Sequence, residues 1–166
     1  MKTKFYFIPG MGESCKLIRY QRLVKTIEKK GYEVVCINPD WYKPITKQLF
    51  DIEKDSIISG FSLGAVMAYL IAKRNPCKKV IFASISPIHT FKFKEFVGFL
   101  SKHMEKSLAV IITKDILKIK IDLNSLKCPY VTLAGIKEGD KADYLVPRTG
   151  HCMTFTYIKS IEKILT

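Results

Sequence analysis

DSIISGFSLGAVMAYLIAKR, residues 55–74, changes its periodicity halfway along. Residues 55–59 are short and isoleucine-rich, as a buried strand is, whereas residues 62–74 carry the alanine, methionine and leucine of a buried helix. Between them stands Gly60-Phe61-Ser62-Leu63-Gly64, a G-x-S-x-G pattern. A strand that turns at once into a helix brings two backbones closer together than a β-carbon allows, so Gly60 and Gly64 are what such a turn requires. Ser62 then sits on a strained turn with its hydroxyl exposed, beside the partial positive charge of a helix N-terminus. A serine N-cap on a glycine-rich turn is the competing reading. The apolar run before the motif and the helix-forming run after it favour a nucleophile.

The same alternation extends in both directions. Residues 4–9 form an apolar run ending in Pro-Gly, and residues 16–30 place Leu17, Ile18, Leu23, Val24 and Ile27 at helical spacing before Gly31. A second strand is expected at 33–38, a short helix at 45–53 and a fourth strand at 79–85. Residues 95–104 read as an amphipathic helix, while in 108–121 helix and strand patterns compete. Strands at 130–134 and 144–146 and a helix at 155–165 complete the chain. Strands alternating with helices predict an α/β fold, a three-layer doubly wound arrangement with helices on both faces of a mostly parallel six-stranded sheet. Residues 1–166 are read as a single domain.

Composition narrows the function classes. The net charge of +13 raises nucleic acid as a partner, but the lysines are scattered and no aromatic-interleaved basic motif is present, so solvated helix faces are the expected reading and no specific nucleic acid is expected. The first ten residues hold only a four-residue apolar run, and no later stretch reaches membrane-spanning length, which predicts a cytoplasmic protein without membrane insertion. Cys15, Cys36, Cys77, Cys128 and Cys152 never form a C-x-x-C pair, against both a disulfide framework and a zinc site. No metal and no cofactor is expected. Gly10-Met11-Gly12 does begin a G-x-G-x-x-G, but Cys15 stands where the third glycine belongs, against a dinucleotide site.

A serine nucleophile needs an oxyanion site, a base and an acid. Backbone N–H groups serve best for the first. One belongs to Leu63, which follows the serine, and the other to Met11 in Pro9-Gly10-Met11-Gly12, after the first strand. In a doubly wound sheet the strand order reverses between the first and third strands, which brings Met11 to Ser62. Of the three histidines, His103 lies within an amphipathic helix and His89 follows the fourth strand. His151, after the last strand and before the last helix, completes the order Ser, acid, His and is the expected base. The acid should lie just past the fifth strand, where Glu138, Asp140 and Asp143 all occur. Asp140, in a loop after Gly139, is the first choice; Asp143 and Glu138 are the alternatives.

Taken together, Pro9-Gly10-Met11-Gly12, the GFSLG turn and Gly150-His151 resemble, in order, the three site motifs of the α/β-hydrolase superfamily, over nearly the whole chain. Residues 122–129 are similar to the approach to that family's acid-bearing strand, and Asp143-Tyr144-Leu145-Val146-Pro147 resembles its D-x-x-V-P segment, which keeps Asp143 in play. The family's opening antiparallel strands, a large cap, and the helix before the last strand have no counterpart, and Pro9-Gly10 replaces a His-Gly pair. The size is that of the compact, capless esterases. The resemblance implies a serine hydrolase that cleaves a small-molecule acyl substrate, an ester or thioester, through an acyl-enzyme. The same machinery suits an amide, and the fold without catalysis would make a binding protein. Residues 86–99 are expected to top the substrate pocket, with Phe91, Phe93, Phe96 and Phe99 mainly covering the core.

Overall fold

The computed structural model describes residues 2–85 and 92–165. Its strands are β1 (Lys4–Ile8), β2 (Glu33–Cys36), β3 (Ile57–Phe61), β4 (Lys79–Ala83), β5 (Tyr130–Gly135) and β6 (Tyr144–Val146). They form one sheet in the order β2-β1-β3-β4-β5-β6, with every neighbouring pair parallel. The described helices are α1 (Ile18–Lys29), α2 (Leu63–Arg74), α3 (Phe93–Leu100), α4 (Lys106–Leu117) and α5 (Phe155–Ile164). None of them is long and apolar enough to cross a membrane. The expected α/β class and two-faced helical cover are present, and the sheet is wholly parallel.

Strand periodicity explains the layers. In β1 the fully buried Phe5 and Phe7 join one core cluster and Tyr6 and Ile8 another, because successive side chains point to opposite faces. The first cluster is closed by Tyr20, Leu23 and Ile27 of α1 and by Tyr157, Ile158 and Ile161 of α5, each set at helical spacing. The second is closed by α2, whose Ala65, Met67, Ala68 and Ile71 pack on Ile58, Val80 and Phe82. Since each large apolar side chain so buried contributes about 1.5–3 kcal/mol, packing rather than propensity holds these short helices. α2 is apolar nearly all round for a further reason. Its outer residues Leu63 and Val66 lie under Phe96, Val97 and Leu100 of α3 and Ala109, Ile112 and Ile116 of α4.

Two local expectations change. The ambiguous stretch after residue 108 is helical, because Ala109, Ile112 and Ile116 present one apolar face to that outer cluster. The helix expected at 45–53 shrinks to a 3-10 turn, Ile45–Lys47. There the Gln48 side chain accepts from Asp40 N–H at 2.8 Å and donates to the Asp40 and Lys43 carbonyls at 2.9 and 3.1 Å, tying the segment into its own loop. All five cysteines are free thiols, and Cys77 and Cys128 stand 3.3 Å apart Sγ to Sγ. For the site, the decisive feature is the reversal of strand order. The chain leaves β1 to one side for β2 and returns on the other side for β3, opening a crevice at their carboxyl ends.

Candidate active site

Three segments converge on that crevice. The first is the β3–α2 turn. A β-carbon on Gly60 would lie 2.1 Å from the Gly64 carbonyl oxygen, and one on Gly64 would lie 2.2 Å from that of Pro9. Both clashes are with backbone, which cannot swing aside, so both positions demand glycine. Ser62 between them is forced to φ 54°, ψ −122°, a conformation that costs about 1–3 kcal/mol and persists only when the surroundings enforce it. Two backbone bonds do so, from Ser62 N–H to the Ala83 carbonyl at 2.9 Å and from Ala65 N–H to the Ser62 carbonyl at 3.0 Å. Leu63 is the first residue of α2, where a helix has no internal acceptor for the N–H.

The second segment is the β1–α1 loop, a tight turn closed by Glu13 N–H on the Gly10 carbonyl at 3.0 Å, with Gly12 at φ +71°. Glu13 staples this turn from beneath. Its carboxylate accepts from Arg19 and from the Tyr20 hydroxyl, and that hydroxyl receives the Gly10 N–H at 3.4 Å. Burial, with the Glu13 carboxylate second, pushes the Tyr20 phenol well above its ordinary range. Met11, Ser62, Leu63 and His151 line one cavity of about 460 Å³.

The third segment carries His151. Its Nε2 lies 2.7 Å from Ser62 Oγ and its Nδ1 lies 2.8 Å from Oε2 of Glu138. An ionised carboxylate only accepts, so the ring proton belongs on Nδ1 and Nε2 is left to accept from the serine hydroxyl. The imidazole packs tilted against the Phe61 ring, 5.2 Å between centroids at an interplanar angle of 41°. The Glu138 side chain is only 8% exposed, so it must be satisfied from within. Oε1 accepts the Gly135 N–H at 2.6 Å and the Ser84 hydroxyl at 2.7 Å. Ser84 is itself buried at φ 48°, and its Oγ lies 2.9 Å from the Tyr157 hydroxyl, which donates to the Leu133 carbonyl at 2.8 Å. Burial raises the Tyr157 phenol too.

The carboxylate on His151 is therefore that of Glu138, and not that of Asp140, the first choice from sequence. β5 runs to Gly135 and tightens at once into a 3-10 turn, Ile136–Glu138, which swings the glutamate back under its own strand end. Gly139, at φ +76°, then turns the chain away, and no hydrogen bond or ion pair joins Asp140 to His151 among the described residues. Asp143 is committed elsewhere, accepting from Thr132 N–H at 2.8 Å and Thr132 Oγ1 at 2.9 Å, which fastens the start of β6 to β5. The histidine segment packs backbone to backbone on this turn. A β-carbon on Gly135 would stand 2.6 Å from the Gly150 carbonyl and 2.7 Å from that of Thr149, and Lys137 N–H donates to Thr149 O at 2.9 Å.

His103 is exposed just past α3, away from this cluster, and His89 and Phe91 lie outside the described residues. Phe96 is buried in the outer core whereas Phe93 and Phe99 are exposed. Sequence reasoning missed Glu13, Ser84 and Tyr157 altogether. Only Glu138 carried a readable signal, a glycine at the strand end followed three residues later by glutamate.

No family model matches the chain, and no curated protein matches it in sequence. Solved structures do. An alpha/beta hydrolase enzyme from the metagenome of sediments of the lagoon of Mar Chica, Morocco, superposes with TM-score 0.68 at 17% identity, over 99% of this chain and 89% of that one. Mouse alpha/beta hydrolase domain-containing protein 10 gives 0.63 at 14%, over 98% and 87%. Polyneuridine aldehyde esterase gives 0.56 at 13%, over 99% and 98%. With its parallel sheet, its strand–serine–helix turn and these superpositions, the chain has the α/β-hydrolase fold.

Proposed function

We propose that the protein is a serine hydrolase that cleaves a carboxylic ester or thioester through an acyl-enzyme. The observation that carries this reading is the unbroken relay from Ser62 Oγ through His151 to Glu138, with 2.7 and 2.8 Å contacts, at a strained turn at the N-terminus of α2. Ser62 Oγ attacks the carbonyl carbon and its proton passes to His151 Nε2. The carbonyl oxygen, now negative, is held by the N–H groups of Leu63 and Met11, a contribution of about a hundred- to a thousand-fold in rate for each good donor. When the intermediate collapses, the alkoxide or thiolate leaves with the proton from His151. Water then repeats the sequence on the acyl-enzyme and releases the acid. Throughout, Glu138 stays ionised, keeps the imidazole in the productive tautomer and stabilises the imidazolium. Structural neighbours that include an esterase and a thioesterase domain from the curacin biosynthetic pathway, the latter at TM-score 0.56 and 13% identity, agree with this choice of chemistry.

Labelling by a fluorophosphonate probe, followed by nitrophenyl-ester turnover, tests it. Wild-type protein is expected to label at Ser62 and to turn over the ester, and Ser62→Ala to do neither while keeping its fold. Equal turnover in the two proteins would overturn the assignment.

A further inference from the structure

The cavity that holds Ser62 does not end at the oxyanion loop. A second hollow, also of about 460 Å³, adjoins it, walled by Trp41 and Tyr42 from the segment after β2 and by Leu100, His103 and Met104 at the end of α3. The two share Met11, Glu13 and Phe99, so the residue proposed as an oxyanion donor also forms the sill between them. Aromatic surface is left open along this route. Phe99 is 52% and Tyr42 57% exposed, and Phe99 is stacked on Phe96 and edge-on to His103 at 6.3 and 5.8 Å. Uncovered aromatic rings on the wall of a concave site of this size are what an apolar ligand requires.

Charge sharpens the description. The chain carries a net +13, yet no lysine or arginine is among the described residues lining either hollow, whereas Glu13, Asp40 and Glu95 are. Each of these carboxylates has its own cation outside the lining, in Arg19, Lys43 and Lys92 respectively. A negatively charged ligand group would meet two carboxylates in either hollow, Glu13 with Glu95 or Glu13 with Asp40, and no lysine or arginine among the described lining residues, and would lose its hydration without recompense.

We infer that the substrate is an uncharged ester with apolar groups on both sides of the scissile bond, one occupying the Ser62 hollow and the other crossing Met11 into the Trp41–Tyr42–His103 hollow. The inference rests on the proposed hydrolase chemistry, which fixes the carbonyl at Ser62. A ligand filling both hollows is consequently cut within its length rather than at its tip. Each methylene buried in either hollow raises kcat/KM by about four-fold, until that hollow is full.

The test uses two ester series followed by proton release, ethyl alkanoates of growing acyl chain and alkyl acetates of growing alcohol. In the wild type, kcat/KM is expected to rise along both. His103→Trp, at an exposed position that tolerates the indole, narrows the second hollow and should flatten one series by ten-fold or more at its long end, with the slope of the other kept; Tyr42→Ala should weaken that same series. Ending the sensitive arm in a carboxylate should lower wild-type kcat/KM by at least ten-fold. Persistence of both slopes in His103→Trp, equal loss of both, or preference for the carboxylate-ended ester would overturn the inference while leaving the hydrolase intact. Failure of the wild type to cleave any member, together with an unlabelled Ser62, would instead remove the hydrolase reading and this one with it.

Discussion

Glu138→Gln isolates what the acid contributes, because it changes charge and proton placement while keeping shape. Oε1 of Glu138 receives two donors, Gly135 N–H at 2.6 Å and the Ser84 hydroxyl at 2.7 Å, while Oε2 receives one, from His151 Nδ1 at 2.8 Å. A glutamine has one oxygen to offer. Placed where two donors converge, that oxygen turns its NH₂ towards the imidazole and meets the Nδ1 proton donor to donor. The ring escapes by moving its proton to Nε2, which then donates to Ser62 and can no longer accept from it. Loss of the productive tautomer in a triad reaches about ten-thousand-fold in kcat, equivalent to about 5 kcal/mol of transition-state stabilisation. The opposite rotamer spares His151 but sets the amide NH₂ against the Gly135 N–H, so no orientation satisfies all three contacts. The measurement is kcat and KM on a nitrophenyl ester for Glu138→Gln, Asp140→Asn and Asp143→Asn, with thermal unfolding as the control for folding. Glu138→Gln should lose about four decades of kcat at nearly unchanged KM, and Asp140→Asn no more than a few-fold. A Glu138→Gln protein that keeps more than about a tenth of wild-type kcat, or an Asp140→Asn protein that loses more than that, would refute the assignment of the acid.

Ser84→Ala removes one hydrogen bond to a buried carboxylate, a loss of about 1.5–3 kcal/mol or roughly ten- to a hundred-fold in kcat. Because Ser84 works through Glu138, the same substitution should have no further effect on a Glu138→Gln background, and equal losses on both backgrounds would show a merely structural role. Gly64→Ala drives a methyl to 2.2 Å from the Pro9 carbonyl, so it should lower the melting temperature sharply and abolish probe labelling at Ser62; an unaffected protein would mean that the turn is looser than described. Burial holds Tyr20 and Tyr157 protonated in the folded state above the range where an exposed tyrosine, in the unfolded chain, ionises near pH 10. The unfolded state then binds fewer protons, so stability is fully present below about pH 10 and falls as pH rises beyond it, by up to about 1.4 kcal/mol per pH unit for each tyrosine. Urea unfolding at pH 9 and 11 measures the slope, which Tyr157→Phe should reduce; a flat profile would contradict the buried, protonated phenols.

The contrast between what the residues revealed and what they hid follows the range of the forces involved. The Ser62 turn is legible because its requirement is steric and local: Gly60 and Gly64 are excluded from bearing a β-carbon by atoms within a few residues or one strand away. His151 is legible because a doubly wound sheet orders its carboxyl-end loops along the chain, so a histidine after the last strand has a defined place. α4 was ambiguous because apolar residues in 108–121 suit either period until the outer surface of α2 decides between them. Ser84 and Tyr157 were hidden for a different reason. Serine and tyrosine are common in strand ends and helix faces, and their hydroxyls acquire a role only when β4, β5 and α5 are assembled around Glu138. The carboxylate that meets His151 is not the Asp140 expected from its place in a loop after Gly139, because the geometry turns on reach. From the end of β5 the site lies behind the chain, and Gly139, at φ +76°, turns the backbone away before Asp140. A glutamate three residues past Gly135, in a turn that tightens immediately, returns its carboxylate to the Gly135 N–H and extends the other oxygen to His151. Of the three candidate acids only Glu138 stands three residues after a glycine, the spacing at which its carboxylate accepts the Gly135 N–H once the turn has formed.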